Sequence, residues 1–482
     1  MPTWLTKRLY GGTAEGKQLD REATFTFAQN LNFRRQHDAI TLNQKLTKDS
    51  ATAIDALPHW IRDLQGIKYA YLQNGKIFER KAAASWVSVK SVTASSGQGL
   101  GVDASYLYYV NASYLGRFPV GGTWGTENVD NWQAITASSW NPVHLFSKVN
   151  LLCVGSQGNM AVYDYASAGY SGTRLVMPSG WIIRDFEEWG DYLAISCWTG
   201  SSIRNSSKGK LVLWDGLSTR FNAVIDSQAG NLLLCQTDKN ILNVFAGVIG
   251  NIYQLTNGEL YQRRKIPFIN EDKDENIDIY PGAKTIWQGI PHFGIAGAAT
   301  AASLTRGVYS FGGDRANLPH AMNMEYTIST DATDSDVKIG ALHTAADNEM
   351  YIGWGDGATY GIDKVDSSAK FATGYVESLD FHGSITQEGF KKVLSKAHIV
   401  HSALISGQSL VVKVKRDDSA SWATVMTSST AGEVSKVVTQ LADGTPIPVG
   451  RFFKARIEIN SVNGVAPEFT SLKFSYDTKP TT

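Results

Sequence analysis

A two-residue turn sequence, Asn-Gly, occurs twice in this chain with nearly the same flanks. Tyr71-Leu-Gln-Asn74-Gly75-Lys-Ile-Phe-Glu-Arg80 aligns with Gln254-Leu-Thr-Asn257-Gly258-Glu-Leu-Tyr-Gln-Arg263, and 183 residues separate the two glycines. Asn-Gly suits a hairpin because both central residues of a type I′ turn need positive φ, which Gly and Asn tolerate best. Asp215-Gly216 repeats the theme 141 residues after Gly75, or three steps of 47, and Gly357 follows Gly258 by 99, or two steps of about 50. Hairpins recurring every ~40–50 residues predict the four-stranded blades of a β-propeller.

The cysteines suggest the same period. Cys153, Cys197 and Cys235 each follow an apolar run, at spacings of 44 and 38 residues. Their odd number and the absence of Cys-x-x-Cys or Cys/His spacing leave no disulfide framework and no zinc site. They read as small buried hydrophobes at equivalent strand positions.

Seven blade-like units follow from hairpin turns near Gly75, Ala112, Gly169, Gly216, Gly258, Gly313 and Gly357. The unit near Gly313 is swollen, so six blades plus an insertion is the alternative count. The propeller is expected over residues 57–372. From 373 to 482 the period ends and strict alternation begins, as in Leu410, Val412 and Val414 against Val411, Lys413 and Lys415. One-face-buried strands over about 100 residues predict a β-sandwich. Residues 1–56 show neither period and read as an extended N-terminal arm. The chain is therefore expected to be all-β. Its 45 Gly and its 20 Tyr, 19 Phe and 13 Trp suit strands joined by tight turns.

Charge excludes some partners. Lys plus Arg and Asp plus Glu number 45 each, so no global field recruits nucleic acid or an anionic membrane. The Arg34-Arg35 pair in the arm reads as solvated or salt-bridged. The opening Met1-Pro-Thr-Trp-Leu-Thr-Lys-Arg8 lacks an apolar run, so no secretory signal is expected. Phe293–Leu304 is too short and too rich in Gly and Ala to span a membrane and reads as a buried strand with its connector. A soluble protein made in the cytoplasm is expected.

No reaction is specified. The repeated Ser-x-Asp-x-Gly-x-x-Trp boxes of sialidase-like propellers do not occur in 57–372. Glu187-Glu188 is the best carboxylate pair for glycoside chemistry, yet adjacent strand residues face opposite ways; a solvated inter-blade loop is the expected setting. Asp272, Asp274 and Asp278 alternate like calcium ligands, but Ile277 and Ala283 stand where an EF-hand needs Gly and Glu. His398 and His401 fall on opposite faces of a strand and cannot share a metal. Gly97, Gly99 and Gly101 precede no helix and so make no phosphate loop. Hence no catalytic residue, cofactor or metal is expected.

The order of parts resembles the hub or nozzle proteins of tailed-bacteriophage virions. Three stretches carry the likeness: the Asn30-Leu-Asn-Phe-Arg34 opening, the Tyr- and Trp-rich blades, and a closing unit. That unit runs through Val412-Lys-Val-Lys-Arg-Asp-Asp-Ser-Ala-Ser-Trp422, Gly450–Ile459 and Leu472–Tyr476. The resemblance implies a non-enzymatic virion component that forms a homo-oligomeric ring, docks other tail proteins around the DNA-ejection channel and makes at most passing contact with viral DNA. In this reading the arm straps onto a partner, and Lys413, Lys415, Lys454 and Arg456 pair with acidic loops on a neighbour. A carbohydrate-binding adhesin is the alternative, and a glycan hydrolase fits less well.

Overall fold

The computed structural model describes residues 3–6, 12–13, 24–33, 39–50, 54–92, 99–199, 208–227, 232–236, 240–246, 250–266, 279–296, 306–312, 321–328, 337–381, 390–417, 419, 421–441, 447 and 449–479. Among these residues no helix is long and apolar enough to cross a membrane. Seven sheets have four strands each, and two larger sheets have five and six. The chain divides into two compact units. Thr47–Val308 and Ile328–Val365 make one; Met1–Leu46, Tyr309–Thr327 and Asp366–Thr482 make the other.

In the first unit the innermost strands of seven blades stand in a ring. They are Pro58–Leu64, Leu100–Val102, Val143–Phe146, Trp181–Trp189, Leu232–Gln236, Lys284–Trp287 and Val337–Thr344. Each touches the next, and the seventh touches the first, so the ring is closed. This unit is a seven-bladed β-propeller, and the alternative of six blades falls. Burial follows distance from the ring. Leu151–Ser156, second in blade 3, is buried at every position, whereas Gly169–Val176, fourth in that blade, is mostly exposed. A strand covered on both faces reads as a continuous apolar run and supplies both neighbouring layers. Cys153 packs toward blade 4 with Ile183 and Val212, while Leu152 and Val154 pack toward blade 2 with Tyr108 and Val110.

Six of the seven turns counted in the sequence fall one to a blade, but not at one position. Gly75, Ala112 and Gly357 lie between second and third strands; Gly169, Gly216 and Gly258 lie between or beside third and fourth. The turn at Gly313 lies outside the described residues. Even the two Asn-Gly copies differ. Asn257 and Gly258 both have positive φ, 53° and 81°, and join Thr256 directly to Glu259. At the first copy only Gly75 is positive, at 85°, in a three-residue loop closed by its amide on the Leu72 carbonyl (3.0 Å). The hairpin likeness is therefore local turn chemistry and not a blade repeat. The cysteine spacing fails likewise: Cys153 and Cys197 sit on second strands, Cys235 on a first strand, and all three are buried and free.

The second unit is built on the two larger sheets. One contains Thr24–Gln29, Thr373–Ser378, Phe453–Asn460, Ser409–Arg416 and Ala423–Ser428; the other contains Thr3–Thr6, Phe469–Lys479, Lys391–His401 and Ser435–Val438. Alternation places Leu410, Val412, Val414, Ile457 and Ile459 of the first sheet, and Ala397, Ile399, Leu472 and Phe474 of the second, in one core. This is a sandwich by its packing.

The stretch 1–56 is not a free arm. Thr3–Thr6 pairs with Leu472–Ser475, and Phe25–Gln29 with Tyr375–Ser378, so strands of the sandwich come from both ends of the chain. Phe25, Leu31, Phe33, Ile40 and Leu42 lie in its core. The strand Gln44–Lys48 is fourth in the seventh blade's sheet. Immediately after it, the Asp49 amide donates to Ile362 of blade 7 (2.8 Å), and the Ile362 amide donates to the Ser50 hydroxyl (3.1 Å).

Asp49 also turns to blade 1. Its carboxylate accepts Arg80 Nε and Nη2 at 2.6 and 2.8 Å, Trp86 Nε1 at 2.9 Å and the Ala84 amide at 3.3 Å. The side chain is 6% exposed. Asp49→Ala leaves a half-buried guanidinium and a buried indole N–H without their acceptor. We expect a loss of about 3–5 kcal/mol in chemical denaturation, and a loss under about 1 kcal/mol, as for an exposed pair, would refute the clamp.

Candidate functional site

The sequence-derived carboxylate pair, Glu187-Glu188, lies at the centre of the ring. It belongs to the innermost strand of blade 4, Trp181–Trp189, and not to a loop. The two side chains do diverge. Glu188 accepts the Ser147 amide and hydroxyl, each at 2.8 Å, and lies 3.6 Å from His144 Nε2. Glu187 turns the other way and accepts Lys284 Nζ at 2.8 Å.

Lys284, first residue of blade 6's innermost strand, joins three acceptors: Glu187, the Asp185 carboxylate at 2.8 Å and the Phe186 carbonyl at 2.9 Å. Burial opposes the ammonium, but Asp185 and Glu187 outweigh it and raise its pKa. Burial pushes the Asp185 carboxyl up, and Lys284 and the Leu234 amide offset part of that. Both carboxylates therefore share one cation. The shared ammonium braces blade 4 to blade 6.

Arg62 of blade 1 joins this charge group from another side. Its guanidinium stacks 5.0 Å over Trp60 and donates to the Ile61 carbonyl at 2.8 Å. Burial lowers its pKa to about 10, against the pull of Asp185 and Glu187. His343 of blade 7 lies half-buried near it. Burial, then Arg62 and Lys68, hold the imidazole down at about 3, with Asp347 opposing.

The segment leading into Lys284 reaches several blades at once. Arg184 Nη2 of blade 4 donates to the Ile279 carbonyl (2.8 Å), and the Leu342 amide of blade 7 donates to Gly282 (2.8 Å). The Tyr280 ring lies 5.0 Å from His59 of blade 1 and 5.4 Å from Trp140, which leads into blade 3. A Cβ on Gly282 would stand 1.9 Å from the His59 carbonyl oxygen, so only glycine allows this approach. Residues 279–283 thus have partners on the innermost strands of blades 1, 4 and 7 and at Trp140.

The remaining sequence candidates do not converge. Asp272, Asp274, Asp278, Arg34, Arg35 and Gly97 lie outside the described residues. Gly99 and Gly101 serve packing: a Cβ on Gly99 would meet the Asn141 carbonyl oxygen at 1.9 Å, and one on Gly101 would meet Val143. His401 is buried and His398 faces the other side of its strand. His401 Nε2 bonds the Ser428 hydroxyl at 2.7 Å, and that hydroxyl reaches Glu433 at 2.6 Å. Sequence reasoning missed this Ser–His contact, but Ser428 is fully buried and cannot meet a substrate. Among the described residues no three His, Cys, Asp or Glu side chains group as metal ligands.

Three of the four sandwich cations singled out in the sequence have acidic partners within their own unit. Lys413 pairs with Glu458 at 2.7 Å, Lys454 with Asp380 at 3.5 Å and Arg456 with Glu377. Arg456 is also held between Tyr375 (4.4 Å) and Trp422 (4.7 Å).

No protein-family model and no curated protein matches this sequence. Among solved structures, the WD40 β-propeller domain of Doa1 is 10% identical, covering 67% of this chain and 98% of its own, with a TM-score of 0.46. The Dos1 propeller is 9% identical over 70% of this chain and 93% of its own, with a TM-score of 0.42. The extracellular domain of a protein described as a hybrid two-component system of B. thetaiotaomicron is 12% identical, with a TM-score of 0.45. It covers 82% of this chain, which spans 47% of that domain's length. The propeller assignment stands on the sheets and the closed ring.

His343 gives a pH test. Its folded pKa lies below the ordinary histidine value of about 6.5, so between that value and about 3 the unfolded chain binds a proton that the folded chain refuses. Stability therefore falls as pH drops through this window, by at most about 1.4 kcal/mol per unit from this residue. Denaturant midpoints measured from about pH 6.5 to 4.5 should fall in the native protein and fall less in His343→Gln. Equal slopes would contradict the assignment.

Proposed function

We propose that this chain is a structural, non-catalytic protein of a bacteriophage tail, a ring-forming hub, nozzle or tip component that docks other tail proteins around the DNA-ejection channel. The order of parts in the sequence supports the family. The observation that carries the non-catalytic reading is the inner face of the propeller, where Asp185 and Glu187 share Lys284 while residues 279–283 bond to the innermost strands of blades 4 and 7. A centre packed in this way suits a rigid disc. In this reading DNA passes between copies and not through one propeller.

Docking falls to folded surfaces, since residues 1–46 belong to the sandwich unit itself. That unit exposes Val434, Val437, Ile405 and Val465 at 53%, 48%, 48% and 53%. Exposed aliphatic side chains gathered on one unit are where apolar burial against a partner contributes most.

Sedimentation velocity on the full chain should give a discrete multi-copy ring, and particles of the encoding phage should contain the chain in a fixed copy number. Val434→Asp with Val437→Asp should shift the ring toward monomer and leave the melting temperature within about 3 °C, as expected of surface changes. A monomer at all concentrations, together with absence from particles, would overturn the reading.

A further inference from the structure

The outer part of blade 3 holds a cavity of about 460 Å³ against a turn of blade 4. Val149, Leu151 and Val162 line it with aliphatic surface, and Asp164, Ser171 and Arg174 with polar groups. A bulge shapes it. The outermost strand pairs Ser171 with Val162 and Leu175 with Met160, so Gly172, Thr173 and Arg174 all lie opposite Ala161. Extra residues of this kind bend a strand away from its partner and re-aim its side chains. Here Arg174 reaches blade 4, where Nη2 donates to the Leu217 carbonyl at 2.8 Å.

The opposite polar group is Asp164. Its carboxylate accepts the Ser167 hydroxyl at 2.8 Å and the Ala166 amide at 2.9 Å, and these, with Arg174 nearby, lower its pKa. The cavity thus offers one fixed cation and one fixed anion, a serine hydroxyl and an aliphatic surface. Its charges sum to zero, so a charged ligand would gain at one group what it loses at the other. Its volume is that of a small-ligand pocket.

We propose that this cavity binds one pyranose unit of a neutral saccharide. The C–H face of the ring lies on Val149, Leu151 and Val162. One of two vicinal hydroxyls accepts from Arg174 and its neighbour donates to Asp164. This site does not depend on the virion reading, and either can fail alone.

The test is to titrate the full chain with methyl α-D-glucopyranoside, methyl α-D-mannopyranoside and methyl β-D-galactopyranoside, followed by saturation-transfer NMR and hydrogen exchange. D-glucuronate serves as the charged control. At least one neutral glycoside should bind with a Kd of about 1 mM, the range expected for so few atoms. It should protect amides within 169–176 and 215–218. Arg174→Gln and Asp164→Asn should each weaken binding about tenfold or more, as loss of a charge-assisted hydrogen bond does. Asp164 is the half-buried last residue of the third strand of blade 3, so Asp164→Asn carries the test if Arg174→Gln fails to fold. Three results would each overturn the proposal: no binding by any of the three glycosides, binding that neither variant weakens, or preference for glucuronate. So would a dimer that Leu217→Ser dissolves while exposing these amides, because a second copy would then fill the cavity; Leu217 is 73% exposed beside it.

Discussion

Four donors converge on the Asp49 carboxylate from blade 1, while the Asp49 backbone amide is bound to blade 7. Every blade needs both faces covered, because its middle strands are apolar on each side. A ring with one gap would leave two such faces in water. Closing it brings Ile61, Ala70 and Phe78 of blade 1 against Ala341, Tyr351 and Ile362 of blade 7 in one cluster. Burial of that layer supplies the stabilisation, and the Asp49 contacts fix the register in which it forms. Glycine makes the approach close enough: a Cβ on Gly340 would stand 2.2 Å from the Pro58 carbonyl oxygen.

The fold class was legible because it depends on local chemistry that many residues report together. Alternation at Leu410, Val412 and Val414 marked the sandwich, and the apolar runs around Cys153, Cys197 and Cys235 marked buried strands. The blade count was read correctly for a partly wrong reason. A turn such as Asn257-Gly258 reports that two strands meet, but nothing in it says which two of four. Position within a blade is set by burial against neighbouring blades, which a turn sequence does not encode. Cys235 shows the same limit, since any buried strand can hold a small apolar side chain.

The N-terminal stretch was misread for a related reason. A strand that completes another sheet has its partners hundreds of residues away, and a single edge strand carries little pattern of its own. Asp49 sits in the polar run Thr47-Lys-Asp-Ser50, which carries no pattern that singles it out. At the ring's centre, parity alone told that Glu187 and Glu188 part company. Lys284 lies 97 residues from Glu187, and no spacing rule connects them. The same holds for Arg174, whose direction depends on a bulge visible only in the pairing register.

The closure has a consequence for the order of synthesis. Ser50 and Ile362 are 312 residues apart, and the earlier one leaves the ribosome first. Six blades can begin to pair from local hairpins as they emerge, but the residues that seal the ring must wait for the last. At roughly 5–20 residues per second that interval is on the order of 15–60 s. Through it, the open faces of the first and latest blades are exposed together, and pairing across such a sequence distance is intrinsically slow. The nascent chain is therefore most vulnerable to aggregation and to exchange of strands between copies just before its seventh blade is complete.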